Sequence, residues 1–80
     1  MEAVAERVGR LIEKEREKQD HKWGVQNHST EMWLMILTEE LGELAEAHLA
    51  NNHTDYILEL IQVAAVAQAW LECEIRNGNR

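Results

Sequence analysis

Glu40 and Glu43 lie three residues apart within "EELGELAEA", Glu39 to Ala47, and Glu59 and Gln62 repeat that spacing within "ELIQ". On a helix, side chains three apart share a face. With Glu40 set at zero and about 100° per residue, Trp33, Leu44 and Leu37 fall near 20°, 40° and 60°, and Ala47 and Ile36 near −20° and −40°. Glu40 therefore sits inside an apolar stripe. Glu43 lies at its edge, while Glu39 and Glu46 turn towards solvent. Glu59 repeats the anomaly, with Val66, Trp70 and Val63 within about 40° of it and Gln62 on its flank.

A carboxylate taken out of water is costly unless it is paired, protonated or bound to a metal. Between Trp23 and Ile75 the chain has no lysine or arginine. Three acids converging from two helices without a local cation point to a divalent-cation site. An all-oxygen ligand set suits Mg²⁺ or Mn²⁺ rather than Zn²⁺. The alternative is that the acids are partly exposed and bind nothing. His21, His28, His48 and His53 match no short zinc-ligand spacing, and Cys73 stands alone. His48 reads as a packed histidine on the apolar side of its helix.

Three helical segments must position these groups. The first spans about Glu2 to Gln19, where Val4, Val8, Leu11 and Ile12 recur at helical spacing before "EKEREKQD", which reads as a solvated helix end. Asp20 to Thr30, "DHKWGVQNHST", reads as a loop that closes on a cap at Ser29 or Thr30. Trp23 in that loop either covers the core or offers a stacking platform for a flat ligand. The second segment spans about Glu31 to Leu49. The third spans about Asp55 to Arg76, with Thr54 as its cap. The short "ANNHT" between them makes these two helices antiparallel neighbours.

The 80 residues form one all-α domain, residues 1–80, without proline or phenylalanine. A net charge of −7 argues against a nucleic-acid polymer as partner. Charges interrupt every long apolar run, so neither a signal peptide nor a membrane span is expected. One cysteine suits a reducing cytoplasm. Apolar residues surround nearly the whole third segment, and such a helix needs burial on all sides. Three helices cannot supply that. The expectation is a homodimer or homotetramer built as helical bundles, with Gly42 marking a close approach.

On these residues the chain resembles the MazG-like all-α nucleotide pyrophosphohydrolases, a superfamily that includes dimeric dUTPases and dCTP pyrophosphatases. "EELGEL", Glu39 to Leu44, matches the first E-x-x-E motif. "ELIQ" matches the second, E-x-x-D, with glutamine in place of aspartate. "KWGVQNHS" resembles the loop that precedes the first metal helix in that superfamily. The likeness covers roughly Glu15 to Glu72.

The resemblance implies Mg²⁺-dependent hydrolysis of a nucleoside triphosphate to monophosphate and pyrophosphate, as in nucleotide-pool cleaning. Glu40, Glu43 and Glu59 would hold the metal, with Gln62 a weaker ligand or an outer partner. The metal would neutralise phosphate charge and activate a water, which Glu39 would orient. Trp23 would stack on the base, Asn27 and His28 would hydrogen-bond to base or sugar, and Lys22 would touch phosphate. Relatives add phosphate contacts from a fourth helix; beyond the third segment this chain offers Arg76, Asn77 and Arg80. Two rival readings are a nucleotide-binding module without turnover and a structural helical interaction protein.

Overall fold

The computed structural model describes residues 1–78, so Arg80 lies outside the described residues. Three helices follow in order: α1, Val4–Trp23; α2, Thr30–Leu49; and α3, His53–Arg76. No strand occurs among the described residues.

Each boundary has a local cause. At the start of α1, the Ala3 N–H donates to Glu6 Oε1 at 3.0 Å. The helix runs four residues beyond the expected Gln19, because "DHKW" contains no breaker and Arg16 holds Asp20 one turn on, at 3.1 Å. Gly24 ends it at φ 73°, ψ −176°, a conformation open essentially to glycine alone. At α2, Ser29 is the cap, its hydroxyl accepting from the Met32 N–H at 3.2 Å. At α3 the cap is Asn52 rather than Thr54: Asn52 Oδ1 accepts from the Asp55 N–H at 3.0 Å. Asn51 makes the sharp turn before it at φ 58°, a region asparagine tolerates.

α2 and α1 both pack against α3, but no Cα of α1 comes within 8 Å of α2 among the described residues. α3 is thus a floor carrying two separated walls. The α2–α3 seam holds the core. Trp33, Val66 and Cys73 are buried, with Ile36, Leu37, Ala69 and Trp70 packed around them. The rings of Trp33 and Trp70 are nearly parallel, their planes 7° apart in angle and their centres 6.5 Å apart. α1 buries no residue. Its seam with α3 includes an ion pair, Arg16 to Glu72 at 2.7 Å. The charged run of α1 is therefore not wholly solvated: the Arg16 side chain is only 11% exposed.

Two further expectations change. His48 is exposed, not packed, its ring 6.0 Å from that of Tyr56. And α3 does reach a mean hydropathy of 1.2 over an 18-residue window, long and apolar enough by composition to cross a bilayer, although Glu59 and Glu72 interrupt it. Gly42 meets nothing within 4 Å in the single chain.

The chain exposes 6064 Å². A monomer of 9.3 kDa is expected to expose roughly 5,000 Å². Much of the excess is apolar: Ile57, Leu60, Ala67, Leu71 and Ile75 form an exposed helical stripe on α3. Replacing Trp33 by alanine is expected to cost about 3–5 kcal/mol, since a fully buried indole leaves a cavity in a very small core. Urea denaturation measures it; a loss under about 1.5 kcal/mol would show that the core can collapse around the gap.

Candidate metal centre and ligand cleft

α2 projects Glu40 and Glu43 from successive turns, and α3 meets them with Glu59. One carboxylate oxygen from each lies within 4.8 Å of the others. None of the three is in an ion pair among the described residues. Arg16, the most covered of the paired cations, is spent on Glu72 and Asp20. Glu40 Oε2 and Glu59 Oε2 are buried and have no hydrogen-bond partner. Such oxygens lose water and gain nothing in return.

The protonation equilibria follow. Burial, then the charges of Glu43, Glu59, Glu39 and Glu15, push the Glu40 carboxyl up to about 7. Burial, followed by Glu43, Asp55 and Glu15, also raises Glu59. Glu72 goes the other way, lowered chiefly by its hydrogen bond from Arg16. Hard oxygen donors, crowded negative charge and two orphaned oxygens fit a divalent cation such as Mg²⁺ or Mn²⁺.

Glu40 also closes one end of a cleft of about 540 Å³ between the α1 and α2 walls. That volume is in the range of small-molecule sites. Glu15, Glu39, Glu40 and Gln62 line its acidic end. Glu43 and Glu59 lie outside its lining, so Glu40 alone of the three belongs to both features. Trp23, His28 and Trp33 line the other end. Glu40 and Trp33 are seven residues apart, about 10 Å along the helix axis.

The loop residues divide by role. Trp23 closes α1 at the rim of the cleft, 57% exposed, so it does not cover the core. The Lys22 ammonium sits 4.7 Å from the centre of the Trp23 ring, a cation–π contact. His28 meets Trp33 edge-on with ring centres 4.8 Å apart. Its Nε2 lies 3.0 Å from Gln26 Oε1. Asn27 is absent from the cleft lining. Its side-chain oxygen accepts from Arg76 at 3.1 Å, Asn77 at 3.4 Å and the Cys73 thiol at 3.6 Å. Asn27 thus latches the loop to the end of α3, which holds Gln26 and His28 in place.

α1 forms a wall of the cleft, which its charged run does not signal. Ile12, Glu15, Arg16 and Gln19 are its covered positions, spaced i, i+3, i+4, i+7. Extending the periodicity of Val4, Val8 and Ile12 through the charged run would have found them. Gln26 carried no sequence signal.

No family model, curated protein or solved structure matches the chain.

The raised carboxyls set a pH dependence. Above the ordinary carboxylate range and up to about 7, the folded chain holds a proton on Glu40 that the unfolded chain has released. Stability therefore falls as pH rises through that window. In chelator, the melting temperature is expected to drop between about pH 5 and about pH 8, and Glu40→Gln to flatten the drop. A metal-free melting temperature that is level or rising across that range would contradict the crowding described here.

Proposed function

We propose that the chain is a divalent-cation-dependent nucleoside triphosphate pyrophosphohydrolase of the MazG-like kind, releasing a nucleoside monophosphate and pyrophosphate. The observation that carries this reading is the double position of Glu40. It shares a cation-poor acid triangle with Glu43 and Glu59, and it ends a cleft whose far end is aromatic. A polyanion with a flat ring at one end matches that polarity.

Glu40, Glu43 and Glu59 would hold the cation, which would neutralise phosphate charge and lower the pKa of a water. Gln62, beside Glu40 in the cleft, offers an uncharged carbonyl oxygen. Glu39 is exposed on the cleft wall next to Glu40, placed to accept a proton or orient a water. Trp23 and His28 present ring faces and edges to a base, with Trp33 behind His28. Lys22 stands at the rim for a phosphate. Asn27 contributes by holding the loop rather than by touching the ligand.

The excess surface and the outer stripe of α3 support a homodimer or homotetramer. The roughly 1,000 Å² by which the chain exceeds a monomer of its mass is comparable to the ~800 Å² that each partner loses in an ordinary stable interface. Ala65 is fully buried within the single chain, so the stripe through Leu60 and Leu71 is the face a second copy would cover.

A panel of ribo- and deoxynucleoside triphosphates with Mg²⁺, scored for pyrophosphate against orthophosphate, tests the activity. Pyrophosphate release is expected, and Glu40→Gln is expected to lower it at least 100-fold, about 2.7 kcal/mol of transition-state stabilisation, with the helical circular dichroism intact. Full activity in Glu40→Gln would remove the cation assignment. Sedimentation at micromolar concentration is expected to give a dimer or tetramer, and Leu60→Lys or Leu71→Lys to dissociate it. A monodisperse, folded wild-type monomer would refute the assembly.

A further inference from the structure

α1 brings to the cleft an anion that the spacing on α2 and α3 does not reveal. The Glu15 side chain is 16% exposed, although it belongs to a helix that buries no residue. It lines the cleft together with Glu39, Glu40 and Gln62. Its charge is among those that raise both Glu40 and Glu59. What holds it there is weak. The Lys18 ammonium, itself 76% exposed, is 3.6 Å away. Gln19 Nε2 donates to it at 3.5 Å. A carboxylate covered this far beside other acids is unfavourable unless a cation shares the space. Gln62, three residues after Glu59, supplies no charge that would do the same work.

We propose that Glu15 is an additional anion of the cation centre, acting from α1 outside the ligand triangle. It accepts hydrogen bonds from waters carried by the cation and supplies the negative charge that Gln62 lacks. The proposal rests on Glu40, Glu43 and Glu59 being the cation's ligands. Glu15 is not part of their 4.8 Å triangle, so it is a positioning residue. Mg²⁺ and similar ions retain several waters in protein sites, and those waters need acceptors. Removing an outer partner of this kind weakens metal affinity about 10–100-fold.

The test is Mn²⁺ binding to the full chain without nucleotide, followed by electron paramagnetic resonance, paired with melting curves in chelator. Glu15→Gln is expected to weaken Mn²⁺ binding about 10-fold or more. It is also expected to raise the metal-free melting temperature, because it removes a repulsive charge. A side chain with a merely structural role would lower that temperature. Glu13→Gln makes the same charge change at an exposed position of α1 and is expected to bind as wild type. Adding Gln62→Asp to Glu15→Gln is expected to restore affinity by returning the lost charge to the centre. Wild-type binding in Glu15→Gln, with binding lost in Glu40→Gln, overturns the role of Glu15 and leaves the centre standing. A lowered metal-free melting temperature in Glu15→Gln likewise overturns it. Wild-type binding in both variants, or none in the unmodified protein, overturns the centre and this proposal with it.

Discussion

Like charges held close together in a poorly hydrated place must be neutralised, and most of this molecule is arranged around that constraint. α2 and α3 bring three carboxylates within 4.8 Å of one another while providing no lysine or arginine before Arg76, at the far end of α3. The best-covered of the paired cations, Arg16, is committed to Glu72 and Asp20. Protonation answers the constraint when no cation is present, which is why the Glu40 carboxyl rises to about 7. A divalent ion answers it better, because it replaces repulsion with attraction for every acid at once. The same crowding that weakens the bare fold is what would make a cation bind.

The fold supports this crowding by concentrating its packing on one seam. Trp33, Val66 and Cys73 fix α2 against α3, and the Trp33–Trp70 stack anchors it about 10 Å along the helix from Glu40. The rigid seam therefore carries both the acid triangle and the aromatic end of the cleft. α1 contributes no buried residue and is tied down partly by charge. Asn27 is a second tie, joining the loop after α1 to the last turn of α3 through one amide oxygen. Polar contacts thus position what the small apolar core cannot reach.

Much of this was legible in the sequence because the acids on α2 and α3 stand out against apolar neighbours. Glu40 and Glu59 break a hydrophobic periodicity, and the break marks the candidate site. α1 offers no such contrast: in "EKEREKQD" every residue is polar, so the covered positions Glu15, Arg16 and Gln19 look like their solvated neighbours. The end of α1 was misplaced because Trp23 and His21 read as loop residues, whereas Gly24 is the first residue to adopt a backbone conformation the helix cannot. Asn52 and Thr54 are both competent caps by type, and only the turn through Asn51 decides between them. Asn27 could not be assigned from local pattern, since its partners lie 46 to 50 residues away.

The gap between α1 and α2 has a mechanical side. With no backbone approach between the two walls, the width of the cleft is set by how each rests on α3 and by the short loop that joins them. The α2 wall is cemented by indole stacking. The α1 wall is pinned by Arg16 to Glu72 and, through the loop, by Asn27 to Arg76. One pin is an ion pair and the other a hydrogen bond to a neutral amide, and neither draws on the buried core, to which α1 contributes no residue. The molecule is built like a vice with one jaw set by apolar packing and one set largely by polar ties, and Glu15, Lys18 and Lys22 sit on the second.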